Sequence, residues 1–173
     1  VADSNSFIPA FDSIRSGVYI ATSAYRRQPA GCTVVWVSRA SFDPPLLAVH
    51  LAPTGHTFQV IKQGKRFCIN VLGESSLALA RRFGFSSGHS EKKFDGVAYR
   101  TSGNGSPILG AAVSYIDCQL VEVLQLGDHA MVIGKVLDAA VVSDEAPMIY
   151  NPSTFYPAAA QRIEALGGQA EQS

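Results

Sequence analysis

The 173 residues predict a mainly β protein, a small closed antiparallel barrel with short helices at its ends. Three observations carry that reading. Short runs of β-branched and aromatic residues recur between turn signals. There is no regular βαβ alternation and no GxGxxG after a first strand, which argues against a doubly wound nucleotide-binding domain. The runs are also so apolar that an open sheet would expose adhesive edges, and closure hides them. A length of 173 and a hydrophobic content of 47% suit one domain with a packed core.

Each element follows from local chemistry. After a polar link at 13–17, GVYIATSAY reads as a first strand and RRQPAG as the turn behind it. Residues 32–38 form a Val-rich and aromatic second strand. The Pro44-Pro45 pair cannot sit inside a central strand, so the chain leaves the sheet near Asp43. Residues 46–51 are apolar almost throughout and make a third strand buried on both faces or closed into a barrel. Residues 57–63 predict a short helix capped near Thr54 or Thr57 and stopped by Gly64. A fourth strand follows at 67–72, then a helix at 75–83 ending at Gly84. The glycine- and serine-rich stretch 84–107 lacks a regular period and reads as a long loop, either a functional lid or clasp or a plain solvent-facing connection. The strongest hairpin signal is Gly127-Asp128, which joins strands at 111–126 and 129–142. The Ala-rich segment 158–166 is helix-permissive. The count is about six strands and two or three short helices.

Fourteen basic and fourteen acidic residues cancel, and only 16% of the chain is charged, so no nucleic acid and no anionic membrane is expected as a partner. So low a charge density suits a surface partly covered by another subunit. Cys32, Cys68 and Cys118 fit neither a disulfide framework nor CxxC metal spacing, and they read as small buried hydrophobes. The N-terminus has no basic region leading into an apolar one, and no stretch reaches membrane-spanning length without polar interruption. A soluble, cytoplasmic protein is the expectation. The chain does not open with Met, which leaves a processed product or a domain of a longer polypeptide equally open.

No HExxH, GxSxG or phosphate-binding P-loop is present, and His50, His56, His89 and His129 lie in different elements without ligand spacing, so no metal site is expected. No cysteine carries a sequence feature that would lower its pKa, so the reactive group of an enzyme built this way is a cofactor. Ser38, Arg39, Ala40 and Ser41 lie between a buried strand and a proline-forced turn. Their amides and hydroxyls suit either turn capping or the polar edge of an aromatic ring system, and Trp36 suits either stacking or core packing. Thr54, His56 and Thr57 at a helix start suit either N-capping or a phosphate. His129, just past the tight turn, fits a structural hydrogen bond or a role toward a carboxamide, a phosphate or a proton.

The order of these segments resembles the flavin reductase-like family, the FMN-binding split barrel. GVYIAT at 17–22 is similar to the family's first-strand Gly-Val and following Thr. AGCTVVWVSRASFDPPLLAV at 30–49 is similar to its G-x-T-V followed by S-x-D-P-P. FCINVLGESSLALARRF, NGSPILGAAVSYIDCQLVEV and GDHAMVIGKV extend the match from about residue 11 to 150, leaving 151–173 as a tail of one domain spanning 1–173. The family includes reductase components of two-component flavin monooxygenases. WVSRASFDPP is also similar to the flavin reductase domains of cyanobacterial diflavin flavodiiron proteins.

The resemblance implies a six-stranded antiparallel Greek-key split barrel with short flanking helices, a homodimer, and a flavin near the subunit interface. It implies hydride transfer from NADH or NADPH to FMN, or to FAD, and reduced flavin or electrons passed to a monooxygenase or other redox partner. A flavin-bound electron-transfer protein without a nicotinamide site is the alternative. Carried over by position, Thr33, Val35, Trp36, Ser38, Arg39, Ala40 and Ser41 contact the ring. The loop Pro53, Thr54, Gly55, His56 and Thr57 reaches the phosphate, Phe83 and the loop after it form pocket wall, and His129 orients the nicotinamide or phosphate. Val35 and Trp36 stand where many members have a small polar pair, so ring contacts pass to backbone groups and aromatic packing.

Overall fold

A computed structural model describes residues 7–86 and 93–156. Its strands are β1 (Tyr19–Tyr25), β2 (Gln28–Val34), β3 (Val37–Ser41), β4 (Leu46–Leu51), β5 (Arg66–Leu72), β6 (Tyr99–Thr101), β7 (Pro107–Leu109), β8 (Ala112–Leu126) and β9 (His129–Val141). Helices α1 (Ile8–Asp12), α2 (His56–Gly64), α3 (Leu77–Phe85) and α4 (Pro152–Phe155) flank them. None of the described helices is long and apolar enough to cross a membrane.

Seven strands form one antiparallel sheet in the order β2-β1-β5-β8-β9-β4-β3, and β6 and β7 make a separate ribbon. β2 and β3 are consecutive in the chain yet lie at opposite edges of the sheet. Only Val35 and Trp36 separate them, and two linking residues span roughly 10 Å at full extension. The sheet is therefore curled until its edges nearly meet. Val34 of β2 and Leu47 and Val49 of β4 accordingly share one core cluster with Phe67, Ile69 and Val132. No ladder joins the two edges among the described residues, so the six-stranded closed barrel expected from sequence is instead a curled seven-stranded sheet with an open seam. A second core, around Ile20, Leu72, Phe83 and Leu109, packs under α3 and the β6–β7 ribbon.

Local differences from the sequence expectation have physical causes. The single strand at 32–38 is two strands broken at the seam, because its halves pair with different partners. The turn at 26–31 contracts to Arg26-Arg27, both at positive φ (49° and 65°), and Pro29 to Gly31 join β2, an edge strand that tolerates a proline. Gly55, not Thr54 or Thr57, is the N-cap of α2, and Lys65 in the left-handed region ends it one residue past Gly64. Gly84 lies inside α3 rather than after it. The stretch 84–107 contains β6, and the expected tail helix at 158–166 lies outside the described residues. The Gly127-Asp128 hairpin is present, with Leu126 paired to His129.

Candidate functional site

The seam positions the site. Val34 closes β2 with its side chain in the core, and the backbone then crosses to the other edge, leaving Trp36 outside both strands and 54% exposed. The His50 amide donates to the Trp36 carbonyl at 3.0 Å, which fixes the crossing against the end of β4. Two imidazoles flank the indole. His50 lies edge-on at 6.2 Å between centroids, and His129 is tilted at 4.9 Å. His50 is the one polar side chain in the run LLAVHL, and its Nδ1 is buried without a partner. An orphaned buried polar atom costs free energy unless a ligand or water meets it.

His129 is set by the hairpin. Its Nδ1 lies 2.9 Å from Oδ1 of Asp128. The hydrogen bond and charge of His129 hold the Asp128 carboxyl below the usual carboxylate range. A carboxylate only accepts, so Nδ1 donates and Nε2 is the nitrogen left for a ligand.

Trp36, His50 and His129 line a cavity of about 450 Å³ together with the start of α2. Gly55 as N-cap has no side chain with which to cap the first turn of α2. Thr57 is buried at 3% exposure beside the Cys32 thiol, whose pKa burial pushes up. Lys93 brings a cation to the lining. It is 8% exposed, and its Nζ donates to the carbonyls of Gly31 at 3.2 Å and Phe83 at 2.9 Å. A buried ammonium beside helix N-terminal amides favours an anion, and an exposed indole between two imidazoles favours a flat aromatic ring. The volume lies within the ~300–1,000 Å³ usual for small-molecule sites.

Of the residues singled out from sequence, Thr33, Val35, Trp36, Thr54, Gly55, His56, Thr57 and His129 line this one cavity. The Thr33 hydroxyl itself donates to the Ala80 carbonyl at 2.6 Å. Ser38, Arg39 and Ala40 stand exposed on β3, with Ser41 half-buried at its end and the Arg39 guanidinium 4.6 Å over the Phe42 ring. Pro53 also falls outside the lining, and its carbonyl accepts from Gln59 Nε2 at 2.7 Å. Phe83 is fully buried in the second core, edge-on to Phe94, and is not cavity wall, whereas Ser86 and Lys93 beyond it are. His50 and Lys93 are the basic lining groups that sequence reasoning passed over. A lone histidine in an apolar strand was a readable signal for the first, and a lysine in a polar loop carried none for the second. Among the described residues, no three His, Cys, Asp or Glu side chains gather as a metal would need.

Residues 11–159 match the flavin reductase like domain. The chain belongs to the flavin reductase-like family. A flavin reductase of Pseudomonas putida is 36% identical over 121 residues, which are 70% of this chain and 69% of that protein. The reductase subunit HsaB of a flavin-dependent monooxygenase from Mycobacterium tuberculosis is 30% identical over 154 residues, 89% of this chain and 79% of that one. Nitrilotriacetate monooxygenase component B from Mycobacterium thermoresistibile superposes with a TM-score of 0.78 at 29% identity, covering 90% of this chain and 91% of its own. Flavin reductase-like chains thus share both the sequence and the curled-sheet architecture found here.

Proposed function

We propose that this flavin reductase-like chain is an NAD(P)H:flavin oxidoreductase whose Trp36 cavity holds FMN or FAD. The observation that carries the reading is the convergence, in one cavity, of an exposed indole flanked by His50 and His129 with Lys93 and the uncapped start of α2. A flat apolar ring and a phosphate are the two parts of a flavin nucleotide that such groups recognise. When bound, the flavin ring accepts the hydride that a bound nicotinamide coenzyme donates.

The chain's own residues bind and orient. Trp36 packs against a ring system and displaces water from it. Lys93 and the first-turn amides of α2 hold a phosphate. His129, its Nδ1 committed to Asp128, presents Nε2 to a carboxamide or phosphate and orients it. Ser38 to Ser41 are not among the residues that line the cavity.

The wider reading has the same standing. The open seam, with both edges on one core, supports a split barrel in one domain. Val121, Leu124, Leu126 and Leu137 on the β8–β9 hairpin are 39–57% exposed, which supports a homodimer covering that face. Three free cysteines support a reducing, cytoplasmic setting. Reduced flavin or electrons then pass to a partner oxygenase or oxidase.

A visible spectrum of the purified protein with added FMN or FAD, repeated anaerobically with NADH and then NADPH, tests the proposal. Loss of the oxidised-flavin band on adding a nicotinamide coenzyme is the expected result. Bleaching by dithionite alone makes the chain an electron-transfer protein, and failure to bind either flavin overturns the reading.

A further inference from the structure

The tip of the β1–β2 hairpin is built from the wrong residues for its geometry. Both central positions have positive φ, 49° at Arg26 and 65° at Arg27, a conformation that Asn-Gly adopts at far lower cost than two long L side chains. Backbone strain that a commonplace substitution would relieve points to a role for the side chains that impose it.

Those side chains share a pocket. Arg26 and Arg27 line a cavity of about 480 Å³ with Arg66 and Tyr99, and no Asp or Glu contributes to its wall. Arg66 is held in place. Its Nε donates to the Gly64 carbonyl at 3.0 Å and its Nη1 to the Asn104 carbonyl at 2.7 Å. Gly105, at φ 94°, leaves the space this guanidinium fills, since a Cβ there would collide with Nη1. No carboxylate lies within ion-pair distance of Arg26, Arg27 or Arg66 among the described residues. Three arginines thus line one pocket with no carboxylate in its wall, the Arg26 guanidinium lying 5.2 Å over the Tyr25 ring, in a protein whose formal net charge is zero. Tyr99, 44% exposed, adds a flat aromatic surface to the same pocket.

We infer that the Arg26, Arg27, Arg66 and Tyr99 pocket is a second ligand site, for the phosphates and base of a nucleotide. Planar forks of N–H donors suit phosphate oxygens, and a tyrosine ring suits stacking by a base. The site does not depend on flavin binding in the Trp36 cavity, but it is positioned to reach it. A groove walled by Tyr25, Gln28, Val60 and Gln63 shares Arg26 with the arginine pocket and His56 with the Trp36 cavity. The nucleotide has two sources with the same chemistry, the adenylate half of a dinucleotide reaching out of the Trp36 cavity or a free nucleotide bound on its own.

The test is calorimetric titration of the full chain with ADP and with inorganic phosphate, against the double variant R26N/R27G. That variant installs Asn-Gly at the turn and so removes two charges while favouring the hairpin. The expected result is ADP binding to the parent protein, weakening with added salt, and on the order of tenfold or more weaker in the variant. Phosphate alone should bind more weakly and lose affinity in the same variant. FMN binding, followed by quenching of Trp36 emission, should be unchanged by R26N/R27G. If ADP competes with FAD but not with FMN, the occupant is the adenylate half of the dinucleotide, and if it competes with neither, the occupant is a free nucleotide. Equal ADP affinity in parent and variant overturns the inference, as does absence of ADP binding to the parent. Failure of FMN to bind would sink the flavin reading alone, leaving the ADP titration to decide this site.

Discussion

Replacing Trp36 with Ala should weaken flavin binding by roughly 30-fold, and the structure supplies the arithmetic. A tryptophan buries about 150–250 Å² when fully covered. Trp36 is 54% exposed, so roughly 100 Å² awaits a ligand. A ring stacked on one face covers about half of that, worth ~1 kcal/mol at ~25 cal/mol per Å², and aromatic stacking adds ~1 kcal/mol. The sum, ~2 kcal/mol, is about a 30-fold change in Kd. Trp36 is the only tryptophan of the chain, so in the parent protein its emission reports ring binding directly. In W36A the affinity is read instead from the fluorescence anisotropy of the flavin. Folding is monitored in parallel by urea denaturation, because the covered half of the indole touches His50 and His129. A folded W36A that binds FMN within about twofold of the parent refutes the placement of the ring on Trp36.

Other perturbations read different parts of the molecule. His129→Ala should raise the KM for nicotinamide coenzyme or slow flavin reduction by about 3- to 10-fold, the loss of one hydrogen bond; unchanged steady-state and stopped-flow traces remove His129 from the site. Lys93→Met should lower FMN affinity by about 10- to 100-fold while sparing riboflavin, which lacks the phosphate, and equal losses for both ligands would make Lys93 a packing residue only. Gly31→Ala should cost about 1–3 kcal/mol in chemical denaturation, because a Cβ there meets Phe83 ring carbons at 2.8 and 3.0 Å inside the second core. Asp117, 1% exposed, has its carboxyl pushed above the ordinary range by burial. The native state then keeps a proton that the unfolded chain loses near pH ~4, so stability falls as pH rises through the window between the unfolded and native pKa. Asp117→Asn should remove that slope, giving a melting-temperature advantage that is absent below about pH 4 and grows above it. A pH-independent difference would show that Asp117 ionises normally.

Where local chemistry decides structure, the sequence was legible. Residues 46–51, 67–72 and 111–126 have the apolar content or alternation of strands, and Gly127-Asp128 has the turn chemistry its hairpin needs. What stayed hidden depends on contacts between residues distant in the chain. Nothing in VVWV tells that Val34 belongs to one edge of a seven-stranded sheet and Val37 to the other, because the pairing partners are Tyr19 and Val49. Arg26-Arg27 lacks the glycine that marks a tight turn, so the turn was read as longer than it is. Lys93 reaches the cavity with its ammonium held on the backbone carbonyls of Gly31 and Phe83, 62 and 10 residues away. The departure visible at Val35 and Trp36 therefore acquires a structural cause. These two residues are the crossing itself, too short to be covered by either strand, and a bulky ring there stands in the seam because no neighbouring strand exists to bury it. A small polar pair at the same point would leave His50 and His129 without the surface between them. That bulk is what gives the cavity an aromatic wall.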